Sequence, residues 1–269
     1  MQAQVIAERR RAMSVVRWRW LPAARADRLA FGVATLLLGS GIAHLVLLVM
    51  TGGSWQGPLS FRKPATFGLS FGITLLTIAW VSNAVTLSRR ARSLLLAAFS
   101  AASLLETLLV SLQAWRGVPS HFNVETAFDT WVTRGLAGGG IALVAMIVVL
   151  TFAAFRSPSP APPSLRLAVQ AGLGALCGAM AVGAIMIAHG MALVASGAAE
   201  TAYATGGLLK PMHAVTMHGI LVLPALAWLL ARIDTWSEGR RVRVMRRAIG
   251  AYVLLIAAVV IATVAGMGG

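Results

Sequence analysis

Seven separate stretches of this chain stay apolar for about 20 residues each, the length an α-helix needs to cross a hydrocarbon layer of about 30 Å. They run near 29–50, 66–86, 94–114, 131–155, 167–194, 212–231 and 248–266. A helix on the surface of a soluble domain is apolar along one stripe only. These runs have no comparable polar face, so the chain is expected to be an all-α integral membrane bundle of seven transmembrane helices. Composition agrees, with 58% of the 269 residues hydrophobic and a mean hydropathy of +0.80, against an apolar share of about 45–50% in ordinary globular domains.

The net charge of +15 invites a nucleic-acid reading, but the placement of the charges argues against it. When alternate loops are assigned to opposite sides, one side receives Arg9, Arg10, Arg11, Arg17, Arg19, Arg25 and Arg28, then Arg89, Arg90 and Arg92. The same side takes Arg156 and Arg166, then Arg232, Arg240, Arg241, Arg243, Arg246 and Arg247. The other side receives Arg62, Lys63, Arg116, Arg134 and Lys210. Cytoplasmic loops carry the excess of Lys and Arg, which places the N-terminus inside and the C-terminus outside, in a bacterial inner membrane. The run "ERRRAMSVVRWRWLPAARADR" is followed by no short apolar core with a small-residue cleavage site. It therefore reads as a cytoplasmic flank with Trp18 and Trp20 at the interface. Cys177 stands alone, so neither a disulfide nor a cysteine-based metal site can be built within one chain.

Four segments follow: a basic flank (1–28), a first membrane half (29–155), a Pro/Ser-rich linker "RSPSPAPPSLR" (156–166) and a second membrane half (167–269). Across the linker the sequence repeats itself. "IAHLVLLVMTGG" at 42–53 aligns with "IAHGMALVASGA" at 187–198, Lys63, Pro64, Gly72 and Ile73 answer to Lys210, Pro211, Gly219 and Ile220, and "RRAR" at 89–92 answers to "RRVR" at 240–243. The order is kept and the offset drifts only where loops can absorb it. This predicts a 3+1+3 parallel repeat, two helix triplets of like orientation joined by the fourth helix.

Under this topology all five histidines fall in the outer half of the bilayer or the outer loops. His44 and His189 are repeat counterparts, and a pair of imidazoles facing each other across a pseudo-twofold axis would suit the two axial positions of haem b. His213 and His218 lie about 140° apart round their helix, so they reach different partners rather than forming the one-face pair of helical zinc sites. Met180, Met186, Met191, Met212 and Met217 lie near the same end and would tolerate a soft ion such as Cu(I). Glu106 cannot reach a loop, and as an ion facing lipid it would cost about 2.5–3.5 kcal/mol or more. It shares a face with Ser103 and Gln113, a candidate proton relay. Thr66, Ser70, Thr74 and Thr77 line one face of the second span. Arg62, Lys63, Arg116 and Lys210 run against the inside-positive bias and form a candidate holder for haem propionates, a carboxylate substrate or an anionic lipid head.

The segments "SFRKPATFGLSF", "QAWRGVPSHFN" and "HAVTMHGILVLP" resemble a family of bacterial multi-pass membrane proteins. The resemblance covers roughly residues 55–230, through RKPxxF, RGxxSHFN and HxxxxH patterns. It implies that Arg62, Lys63, Pro64, Gln113, Arg116, Gly117, Ser120, His121, Asn123, His213 and His218 belong to a shared pattern. It supplies no activity, and His44, His189 and Glu106 lie outside it.

Three functions are therefore expected in order. The first is an outward-facing site for haem b or a metal ion such as zinc or copper, serving electron transfer or cofactor handling with a redox partner. It would use His44, His189, His213 and His218 with the four outer cations. The second is a transporter of a small molecule or ion between the halves, with Glu106 and Gln113 relaying protons. The third is an intramembrane zinc hydrolase with His121, His213 and His218 as ligands and Glu125 or Asp129 activating water. Ceramidase-like enzymes invite that comparison, but they carry histidines with three intervening residues on the last helix, whereas here four intervene, on the sixth. The lipid bilayer is the one partner every reading requires, and nucleic acid is expected in none.

Overall fold

A computed structural model describes residues 24–266 except 56, 58 and 206, so the flank carrying Arg9 to Arg19, Trp18 and Trp20 lies outside the described residues. Every regular element in it is helical. The order is α1 (Arg25–Met50), α2 (Arg62–Val81, continued by a 3-10 turn, Ser82–Ala84), α3 (Arg89–Trp115) and α4 (Ala127–Arg156). Then come α5 (Pro163–Ala195), the short α6 (Ala199–Thr205), α7 (Lys210–Ala231) and α8 (Glu238–Ala265). All but α6 are long and apolar enough to cross a membrane. Large apolar side chains such as Leu36, Val49, Leu94, Leu108, Ile141 and Leu254 are exposed on their outer faces, as lipid-facing helices require and as a soluble monomer would avoid.

Helix ends follow local chemistry. Side chains of Ser88, Thr126 and Ser237 cap α3, α4 and α8 by accepting from the amides of Ala91, Asp129 and Arg240. Pro163 sits in the first turn of α5, where its missing N–H is no loss. The helix therefore starts inside the segment expected to be linker, which shrinks to residues 157–162. Likewise α1 begins at Arg25, ahead of the boundary placed at residue 29.

Two helix pairs dominate the packing, α1 with α2 and α5 with α7. Small residues permit both. A Cβ on Gly68 would strike the backbone of Leu37 and Gly41, and one on Gly172 would strike the backbone of Gly219 and Ile220. Such close approach is the usual means of association where lipid removes the hydrophobic drive between helices. Helix α3 packs on α1, α2 and α4, and α4 leads to α5. Between the pairs the contact of α2 with α7 is thin. Helix α8 leans mainly on α7 and α5 and buries only Met245 among its described residues.

One end of the bundle gathers the arginine-rich connections. There Arg92 reaches Asp27 of α1 at 2.5 Å, Ser82 Oγ at 3.1 Å and the Ala79 carbonyl at 2.9 Å, tying three helices together. Ser159 donates to the Ala84 carbonyl at 2.6 Å, which ties the linker to the first half, and Glu238 accepts from the Ser164 amide at 2.7 Å, which fixes the start of α8 against that of α5. The opposite end carries the 116–126 loop and the starts of α2, α4 and α7.

Candidate functional site

The 116–126 loop is built around a carboxylate. Asp129, buried in the first turn of α4, accepts from Gln113 Nε2 at 2.9 Å, Arg116 Nη1 at 2.5 Å and Thr126 Oγ1 at 2.5 Å. Arg116 also donates to Gln113 Oε1 and lies 4.6 Å over the Phe128 ring. Charge-assisted bonds of this kind are the strong ones, and here they close the loop onto its own ends. Arg116 and Gln113, expected from the sequence as a ligand-holding cation and part of a proton relay, are both bonded to Asp129 here. Gln113 is also two turns, about 10 Å, from Glu106 along α3, with buried Val110 between them.

Past the clamp the loop turns inward. Phe122 adopts φ 66°, a left-handed conformation unusual for a bulky side chain, and its ring presses on Gly190 of α5 so closely that a Cβ there would overlap it. The loop of the first half is thus plugged into the second. Asn123 is fully buried. Its Oδ1 accepts from the Glu125 amide at 3.0 Å and its carbonyl from Thr133 Oγ1 at 2.7 Å, while Nδ2 has no partner among the described residues. His121 packs edge-on against Phe67 of α2 at 5.8 Å and lies 3.0 Å from Ser120 Oγ through Nδ1. Burial, and then the neighbouring Lys63 charge, hold its pKa well below the ordinary histidine range, so the ring is neutral. Tyr203 of α6 faces the same region, near Glu125 and Asp129.

Lys63 stands in the first turn of α2, where its electrostatic neighbours are Lys210 of α7 and Arg62. Arg62 is anchored, with Nε donating to the Trp55 carbonyl at 2.7 Å. Among the described residues neither Lys63 nor Lys210 makes an ion pair, the three pairs being Arg92–Asp27, Arg116–Asp129 and Arg241–Glu238. The starts of two helices, each with a partial positive charge of its own, thus bring three cations together without an anion.

The histidines are dispersed. His44 is buried, its Nδ1 donating to the Ser40 carbonyl at 2.8 Å and its Nε2 accepting from Trp115 Nε1 at 3.1 Å. Both ring nitrogens are spent, and Phe61 and Trp115 close an aromatic box around the ring. His189 lies exposed on α5, which has no substantial packing with α1. The expected haem pair is therefore not assembled, because α1 closes on α2 and α3 instead. His213 donates from Nδ1 to the Ala179 carbonyl at 2.8 Å and ties α7 to α5, while exposed His218 bonds the Ala214 carbonyl of its own helix at 2.6 Å. Among the described residues no three His, Cys, Asp or Glu side chains converge, so His121, His213 and His218 are not brought together here. Of the hydroxyls of α2, Thr66 and Thr77 bond their own helix, whereas Ser70 reaches across to Met217 Sδ of α7 at 3.8 Å.

Charge against the inside-positive bias picked out Lys63, Arg62 and Lys210 in the sequence, whereas nothing there marked Phe122 and Gly190 as partners. Comparison with protein families, curated proteins and solved structures finds no match for the chain.

Proposed function

We propose that this protein is a multi-pass transporter of the bacterial inner membrane that takes up a small anion bearing a carboxylate or phosphate from the outer side. One observation carries the reading. Lys63, Lys210 and Arg62 are electrostatic neighbours at the starts of α2 and α7, and among the described residues none of them makes an ion pair. Like charges gathered at two helix starts repel, and an anion seated among them would replace that repulsion with attraction. The neutral ring of His121 offers a hydrogen bond beside them.

The architecture supports movement of such a ligand. Tight glycine-packed pairs, α1 with α2 and α5 with α7, meet through a thin α2–α7 seam. That suits two bodies rocking about a site between them. The corresponding Lys-Pro starts of α2 and α7 fit the parallel repeat read from the sequence, and the arginine-rich end fits the cytoplasmic side. Both features support an outward-facing anion site.

The test is titration calorimetry of detergent-purified protein with a panel of small carboxylates and phosphates, followed by uptake of the binders into proteoliposomes. Binding that Lys210→Met weakens at least tenfold supports the reading. Absence of binding across the panel, with the protein folded, overturns it. An absorption spectrum and elemental assay of the same sample decide the haem and metal readings.

A further inference from the structure

Two oxygens lie orphaned in the middle of the bundle, away from the anion site. Glu106 of α3 is 4% exposed and Ser103, one turn earlier on the same face, is 0% exposed. Neither Glu106 Oε1 nor Ser103 Oγ has a hydrogen-bond partner among the described residues. Buried polar atoms are nearly always satisfied, and an unsatisfied one calls for a missing water or ion. The facing helix comes close there: Glu106 Oε1 lies where a Cβ on Gly139 of α4 would stand, and the backbone of Gly140 is a hydrogen-bond neighbour of the carboxyl group. Neighbouring hydroxyls are spoken for. Thr107 Oγ1 donates to the Ser103 carbonyl at 2.9 Å and Ser100 Oγ to the Leu96 carbonyl at 2.7 Å.

We infer that Ser103 and Glu106, set against the bare backbone of Gly139, form a binding site for a monovalent alkali cation. The ligands are oxygen only, which suits a hard cation. No basic side chain among the described ion pairs reaches Glu106, so one positive charge neutralises the carboxylate. A divalent ion would leave a net charge at a depth where charge is costly. One cation between the two oxygens satisfies both, with water completing its shell. The site stands independently of the anion reading, and where both hold, the cation is the coupling ion.

The experiment is thermal unfolding of the detergent-purified full chain while choline chloride is exchanged for sodium or potassium chloride at constant ionic strength. Chloride stays fixed, so the anion site cannot contribute. A saturable upward shift of a few degrees with either cation is expected. Glu106→Gln and Gly139→Ala abolish it, and Ser103→Ala moves its midpoint to at least tenfold higher cation. Thr77→Ala, on a different helix, retains it. Should the first two variants fail to fold, Ser103→Ala carries the test alone. No shift with either ion, a shift unchanged in the variants, or a response to pH without a response to the cation overturns the inference.

Discussion

An ammonium whose charged neighbours are all positive costs stability until something neutralises it. In the ligand-free protein Lys63→Met should therefore raise resistance to heat, by about 1 kcal/mol for one like-charge contact near a surface, while weakening anion binding. Thermal unfolding with and without ligand reads both signs, and a destabilised ligand-free variant would show that Lys63 has a hidden structural partner. His121 makes a second prediction. The unfolded chain takes up a proton at this residue near pH 6.5, and the buried ring takes it up only at much lower pH. Between those values the unfolded state binds more protons, so stability falls as pH drops below about 6.5 and is unaffected above it. His121→Gln should remove that acid sensitivity, measured as the slope of melting temperature against pH between 6.5 and 5. At this scale the sequence revealed chemistry without partners. His44 looked free for a ligand because Trp115, which occupies its second nitrogen, lies 71 residues away along the chain. Asp129 gave no sign that it would claim both Arg116 and Gln113.

Among the elements, the seven long helices were legible because hydropathy over about 20 residues is a property of the segment itself. Their ends were less so. Pro163, read as linker, opens α5, and α6 was missed because seven residues of "AETAYAT" carry too little pattern to stand out. Which helix packs on which was also hidden, since glycines are spread through the spans and only the backbone geometry selects Gly68 and Gly172 as points of contact. Enlarging either should wedge its pair apart. Gly68→Leu and Gly172→Leu are each expected to cost about 3 kcal/mol or more, the upper range for overpacking, whereas Gly32→Ala, which meets nothing within 4 Å, should leave stability within about 0.5 kcal/mol. Reversible unfolding in mixed micelles would rank the three.

For the molecule as a whole, the separation of charge between the two ends gives a direct test of orientation. In a Cys177→Ala background, Val124→Cys in the exposed part of the loop should react with an impermeant maleimide added to intact cells. Asp234→Cys, between α7 and α8, should react only after permeabilisation. The reverse pattern would turn the cation cluster toward the cytoplasm and make the proposed uptake an export. At one end the Ser159–Ala84 bond ties the linker to the first half, and at the other Phe122 of the first half is seated against Gly190 of the second. The backbone of Phe122 belongs to a loop held to the first half by the bonds of Asp129 to Arg116 and Thr126. If the proposed transport cycle parts the halves, each opening would withdraw the stopper and each closing reseat it, which would make Phe122 the timekeeper of that cycle. Phe122→Ala should turn a paced gate into a leak, seen as faster and less selective flux through reconstituted vesicles.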